Sequence, residues 1–132
     1  MNTKIIMTAS SIVLASAGIV LTFMPDEILQ YFTLERTEPL LLLLQILGAL
    51  FFAFAMLNWM SRSGPIGGIY NKPIATANFA HFLIGGLALV KGIISNPGLP
   101  YAIWVIAAIY TFFAIAFSLI NFRNPLGLIQ KV

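Results

Sequence analysis

The chain contains four long runs of apolar residues, and each run is long enough to cross a lipid bilayer as a helix. A helix rises about 1.5 Å per residue and the hydrocarbon core is about 30 Å thick, so one span needs about 20 apolar residues. The runs cover residues 5–24, 39–60, 73–95 and 101–122. Only short connections remain between them, so the sequence predicts a single all-α transmembrane domain over residues 1–132.

The composition excludes a soluble domain and a disordered chain. Hydrophobic residues make up 60% of the sequence and charged residues 8%, against about 45–50% and about 25% in ordinary soluble domains. So few charges could not keep the surface of a small soluble fold hydrated, and disorder requires low hydrophobicity. Because the chain has no cysteine, it can form neither a disulfide framework nor a thiolate zinc site.

The first apolar run also resembles a secretory signal peptide. Lys4 precedes it, and Ala15-Ser16-Ala17 has the small residues of a cleavage site. The apolar run continues for seven residues beyond Ala17, which favours a retained transmembrane helix.

The distribution of basic residues predicts the orientation of the spans. Cytoplasmic loops of membrane proteins collect Lys and Arg. Five cations fall on the side of the two termini and the middle loop, namely Lys4, Arg62, Lys72, Arg123 and Lys131, whereas Arg36 and Lys91 fall on the other side. We therefore expect an up-down-up-down bundle with both termini in the cytoplasm. The net charge of +3 reflects this topology and contact with anionic head groups, and does not indicate nucleic-acid binding.

The connections carry three further signals. The first, residues 25–38, is acidic and contains an amphipathic stretch over 28–32, which predicts a short helix at the membrane interface. The middle loop contains Gly67-Gly68 but lacks the lysine and spacing of a phosphate-binding loop. The last connection, residues 96–100, is so short that the third and fourth spans must form an antiparallel hairpin.

Small and polar residues recur every three or four positions on each span, a pattern typical of packed helix faces in membranes. The third span carries Asn78, His81, Gly85, Ala88, Gly92 and Ser95; the fourth carries Trp104, Ala107, Thr111, Ala114, Ser118 and Asn121; the first carries Ser11, Ala15, Gly18 and Thr22; the second carries Gln45, Gly48, Phe52 and Ala55. This spacing predicts that the four faces meet in a left-handed bundle, with the large apolar side chains turned toward lipid.

The most polar part of this pattern predicts a ligand-binding site on the cytoplasmic half of the bundle. His81 lies about 12 Å from the start of the third span, at the level of hydroxyl groups on the fourth. The candidate ligand-binding residues are His81, Asn78, Asn58, Thr111 and Ser118. Two interpretations stay open, because such residues serve as hydrogen-bonding contacts between helices and because ionisable groups in spans are often functional.

Several kinds of chemistry have no residues to support them. One histidine without cysteine cannot ligate zinc or a bis-histidine haem within one chain. The four acids, Asp26, Glu27, Glu35 and Glu38, are in or beside the first connection, away from His81, so neither a catalytic triad nor a carboxylate pair is expected. We therefore predict no metal site and no catalytic residue.

The order of segments resembles the DoxX-like superfamily of small four-helix bacterial membrane proteins. The resemblance rests on Gln45-Ile46-Leu47-Gly48-Ala49 leading to Asn58-Trp59 and Arg62, on the glycine-containing turn that follows, and on a third span that opens with proline. It implies a multi-pass protein of the bacterial inner membrane and, by analogy with some members, a link to quinones. The chain lacks any cysteine that sulfur redox chemistry could use.

Three functions are consistent with these features. The leading hypothesis is a non-enzymatic membrane protein that binds a lipid-like or quinone-like molecule, or the transmembrane helix of a partner, around His81. The second is a quinone-linked redox or proton-coupled accessory subunit in which His81 exchanges a proton. The third is a small transporter or channel built by oligomerisation. The expected partners are the lipid bilayer and either a second copy of the chain or another membrane protein.

Overall fold

The computed structural model describes residues 2–123 and Pro125. In these residues the chain is helical, with α1 over Thr3–Phe23, α2 over Pro25–Tyr31, α3 over Glu38–Ser61, α4 over Lys72–Ser95 and α5 over Tyr101–Phe122. The four longer helices are long and apolar enough to cross a membrane, which confirms the all-α class and the presence of four long apolar helices where the four spans were predicted. Lys131, used in the orientation argument, lies outside the described residues.

The helix boundaries follow local signals in the sequence. The Asn2 side chain accepts a hydrogen bond from the Lys4 amide at 3.0 Å and so caps α1. Pro25, Pro39 and Pro73 each stand in the first turn of a helix, where a missing N–H has no cost. α5 has the predicted bounds, whereas α1 begins two residues before the predicted start.

The chain forms two compact units. The N-terminal unit, Asn2–Arg62, contains α1, α2 and α3, and the C-terminal unit, which begins at Ser63, contains α4 and α5. The single four-helix bundle and the orientation in the membrane stay predictions.

In the N-terminal unit, α1 and α3 pack antiparallel through a close contact between glycines. A Cβ atom on Gly18 would lie 2.8 Å from the Gly48 carbonyl oxygen, so no larger residue fits there without a shift. Further along, Asn58 Nδ2 donates to Ser10 Oγ at 3.0 Å. The glycine contact lies on the packed faces that the small-residue pattern predicted, whereas neither Ser10 nor Asn58 belongs to that pattern.

The acidic connection folds around one arginine. The predicted short helix is present as α2, and its residue Leu29 is buried. Arg36 donates to Asp26 at 2.7 Å and to Glu38 at 3.0 Å. These two hydrogen bonds, the one to Asp26 above all, raise the pKa of the Arg36 guanidinium above its ordinary value.

In the C-terminal unit, α4 and α5 form the predicted antiparallel hairpin. Thr76 near the start of α4 donates to Asn121 near the end of α5 at 3.3 Å, and Gly86 lies against the backbone of Tyr110. The loop before α4 contacts the last turn of α5, because the Gly68 amide donates to the Asn121 carbonyl at 3.2 Å. Gly67 has a φ of +129°, a conformation that L-residues other than glycine rarely adopt.

The expectation that large apolar side chains face outward holds for only part of the α4–α5 hairpin, where for example Leu87, Ile115 and Leu119 are exposed. Phe82, Phe113 and Phe117 are buried, whereas Thr111, assigned to a packed face, is exposed. On α3, Gln45 is exposed as well. The physical reason is that Gly85 and Gly86 leave room on α4 for aromatic rings, and burying large rings gains more dispersion energy than burying small side chains.

Candidate functional site

A polar contact in the middle part of the α4–α5 hairpin joins His81 to Tyr110. The Tyr110 hydroxyl lies 3.2 Å from His81 Nε2, and the two ring centroids are 5.4 Å apart. A phenol and a neutral imidazole can each donate or accept a hydrogen bond. Either the Tyr110 hydroxyl donates to His81 Nε2, or His81 Nε2–H donates to the Tyr110 oxygen. His81 lies nine residues after the start of α4, about 14 Å along the helix.

Tyr110 is a residue that the sequence pattern did not single out. The expectation was that His81 would pair with a hydroxyl at the level of Thr111 and Ser118. The Thr111 hydroxyl instead donates to the Ala107 carbonyl of its own helix at 2.8 Å. Tyr110 directly precedes Thr111 in the sequence, but the pattern of small and polar residues did not include it.

Phe82 lies at the centre of an aromatic cluster that surrounds this pair. Its ring centroid is 5.0 Å from that of His81 and 5.2 Å from that of Tyr110. It also stacks on Phe113 at 4.9 Å and on Phe117 at 5.7 Å. The spacing of Tyr110, Phe113 and Phe117 along α5 is the three-and-four repeat of one helix face, and this signal could have revealed the cluster.

A groove of about 430 Å³ runs between α4 and α5, and we call it the central groove. It is lined by Phe79, Phe82, Leu83, Gly86, Leu87, Val90, Thr111, Ala114, Ile115, Ser118 and Leu119. The hydroxyls of Thr111 and Ser118 are the polar side-chain groups in this lining. Such a surface suits a slender apolar molecule with few polar atoms.

The central groove continues in both directions along the hairpin. Toward the start of α5 it shares Val90 and Thr111 with a second groove of about 690 Å³, which reaches Trp104. Toward the end of α5 it shares Ser118 and Leu119 with a third groove of about 370 Å³, which reaches Phe122 and Arg123. The hairpin therefore carries a continuous apolar path with a cation at one end.

The five predicted site residues fall into three places. Thr111 and Ser118 line the central groove, whereas His81 and Asn78 do not line it. His81 contacts its wall through the Phe82 ring, and Asn78 is fully buried and donates to the Ile74 carbonyl of its own helix at 3.0 Å. Asn58 belongs to the N-terminal unit, where it is fully buried against Ser10.

Among residues 2–123 and Pro125, no three His, Cys, Asp or Glu side chains come together as a potential metal site.

Comparison with protein-family models, with curated proteins and with solved structures finds no match to this chain.

Proposed function

We propose that the chain is a small multi-pass membrane protein that binds a lipid-like or quinone-like molecule along the α4–α5 hairpin and does not transform it. The observation that carries this proposal is the central groove, about 430 Å³ in volume and lined almost entirely by apolar side chains. We further propose, from the resemblance to DoxX-like proteins and the distribution of cations, a bacterial inner-membrane location with cytoplasmic termini.

The groove supports binding of a long molecule because its shape is fixed by residues behind it. Phe82 forms part of its wall and is held in place by Tyr110, Phe113 and Phe117. Gly86 widens it, because the absence of a side chain there leaves space beside the Tyr110 backbone. A preformed groove binds more tightly than one that must be ordered by its ligand.

The test is to purify the protein from membranes in a mild detergent and to identify small molecules in an organic extract by mass spectrometry. The variant Thr111→Trp fills the groove at an exposed position that lines two of its sections. The control Ala53→Trp places the same ring on an exposed position of α3. We expect the first variant to lower the retained ligand at least fivefold and the second to leave it unchanged.

Equal ligand content in the two variants, with normal helicity, would remove the groove as the binding site. Recovery of another membrane protein in place of a small molecule, lost in Thr111→Trp alone, would show that the groove receives a helix instead.

The His81–Tyr110 pair favours a second candidate, a quinone-linked or proton-coupled accessory subunit. A histidine and a tyrosine joined at 3.2 Å beside the wall of an apolar groove can store or pass a proton. This candidate requires a quinone absorbance in the purified protein that disappears in His81→Ala while the helical content is preserved. A quinone that stays bound in His81→Ala, or a ligand without quinone absorbance, would exclude this role for His81.

A further inference from the structure

The cationic end of the groove lies at the open end of the hairpin, where α4 begins and α5 ends. Arg123 lines this end together with Ser118, Leu119 and Phe122. Lys72 begins α4 one turn before Thr76, and Thr76 is hydrogen-bonded to Asn121, two residues before Arg123. The structure therefore brings Lys72 and Arg123 to the same end of the apolar path.

The sequence of this unit supplies cations at this end and no acidic side chains. The sequence from residue 63 to residue 132 contains no Asp or Glu, because all four acids lie between residues 26 and 38. A ligand that carries a negative charge next to an apolar chain therefore matches both parts of the groove, whereas the carbonyl oxygens of a neutral quinone would accept weaker hydrogen bonds from the cations than an anion does.

The length of the groove matches one leaflet of a bilayer. Thr111 lies twelve residues before Arg123, which corresponds to about 18 Å along α5, and half of the hydrocarbon core is about 15 Å. An acyl chain whose head group lies at Arg123 would thus occupy the path as far as Thr111, where the section toward Trp104 begins.

The loop at this end is fixed to the helices. The Gly68 amide donates to the Asn121 carbonyl at 3.2 Å, and Asn71 Nδ2 donates to the Pro65 carbonyl at 2.7 Å. A Cβ atom on Gly67 would lie 2.6 Å from the carbonyl oxygens of Ile120 and Arg123. The backbone next to the cations is therefore held in one conformation, which lowers the entropic cost of binding a head group there.

We propose that the groove binds one anionic glycerophospholipid, with an acyl chain between α4 and α5 and the phosphate at Lys72 and Arg123. This inference rests on the proposed function and names its ligand class. Basic pockets between transmembrane helices bind anionic head groups in this way. A zwitterionic lipid carries its own ammonium group, so it is bound more weakly, and inorganic phosphate lacks the chain that the groove requires.

The experiment is native mass spectrometry of the purified full chain after exchange into micelles that contain equal amounts of phosphatidylglycerol and phosphatidylcholine with matched acyl chains. We expect the protein to retain phosphatidylglycerol at least tenfold in excess. Arg123→Gln and Lys72→Gln should each lower that preference about fivefold, because each cation near a head group has about that effect. The control Lys91→Gln removes the same charge near the opposite end of α4, so we expect less than a twofold change.

The variant Ser118→Trp tests whether the acyl chain lies in the groove. It fills the section between the central groove and Arg123 without changing the charge. We expect it to reduce retention of both lipids at least fivefold, with circular dichroism and size-exclusion chromatography showing a folded protein. Unchanged retention in this variant would overturn the proposal, since the cations would then act only by diffuse surface attraction.

Two further outcomes would also overturn it. If Lys91→Gln lowers the preference as much as Arg123→Gln does, the head-group site is not at Arg123. If wild-type protein retains phosphatidylcholine or a quinone as well as phosphatidylglycerol, and Ser118→Trp releases it, the proposed function stands but the anionic ligand class is wrong. Absence of any retained small molecule would overturn both proposals together.

Discussion

Gly85 of α4 lies directly against the ring of Tyr110 on α5, and a Cβ atom on Gly85 would come within 2.6 Å of the ring carbon Cε1. The same ring carries the hydroxyl that is bonded to His81. The absence of a side chain at position 85 thus determines where the polar pair lies, and it links the packing of the hairpin to the candidate site.

We expect Gly85→Ala to destabilise the protein by about 1–3 kcal/mol, because the Tyr110 ring must move out of a packed position. Gly85→Leu should have a larger effect, since three more carbons enter the same contact. The measurement is thermal unfolding in detergent, followed by circular dichroism. Gly92→Ala on the same helix is the control, because the nearest atom to its Cβ, Leu99 Cδ1, is 3.9 Å away. Equal loss in the two alanine variants would contradict the assigned contact.

Removal of the hydroxyl in Tyr110→Phe should cost about 0.6 kcal/mol, the usual value for a hydrogen bond between membrane helices. A double-mutant cycle with His81→Phe should return a coupling of similar size, because the two groups contact each other directly. The matched control is Tyr101→Phe, at the exposed first residue of α5. A cycle between Tyr101 and His81 should give no coupling, and a coupling as large as that of Tyr110 would refute the pair.

The buried Asn58–Ser10 contact should stabilise the α1–α3 pair. Asn58→Ala removes the hydrogen bond that the Asn58 amide donates to the Ser10 hydroxyl at 3.0 Å. The Ser10 hydroxyl still donates to the Met7 carbonyl. We expect a loss of about 1–3 kcal/mol, measured by denaturant titration in micelles. Ser16→Ala provides the control, since that hydroxyl is exposed and bonds only the preceding turn of its own helix in the described contacts. A loss below 0.5 kcal/mol in Asn58→Ala, about the size of an ordinary surface effect, would contradict this role.

The glycine contact between α1 and α3 should tolerate no large side chain. Gly48→Leu would place a Cβ 2.8 Å from the Gly18 carbonyl oxygen, so we expect a loss of at least about 1–3 kcal/mol. The neighbouring Ala49→Leu adds a similar volume at an exposed position and should change stability little. Thermal unfolding of the two variants measures the difference, and equal midpoints would show that the helices do not approach each other at Gly48.

The sequence predicted those features that depend on residues close together in the chain. Apolar runs of about 20 residues predict the four spans because the bilayer fixes their length, and Pro39 and Pro73 mark the starts of α3 and α4 because proline is suited to a first turn. The spacing of small residues also placed Gly18 and Gly48 on packed faces, and the structure has them there.

The candidate site was predicted less well, because it depends on how two helices share one contact. The spacing rule indicated that His81 belongs to a polar face, but it included neither Tyr110 nor Phe82. It placed Thr111 and Ser118 on a packed face and also among the candidate ligand-binding residues, and in the structure both line a groove.

The lengths of the apolar runs and of the connections between them therefore determined the class of protein, the number of long apolar helices and the hairpin between α4 and α5. The three-dimensional packing decided which side chains meet. Two adjacent glycines on α4 allow Tyr110 of α5 to come close, so aromatic residues fill the contact, and Thr111 and Ser118 lie in the groove beside it. Periodicity identifies a face of one helix, but which residues of a second helix occupy that face depends on the shape and volume of both, and only the folded hairpin contains that information.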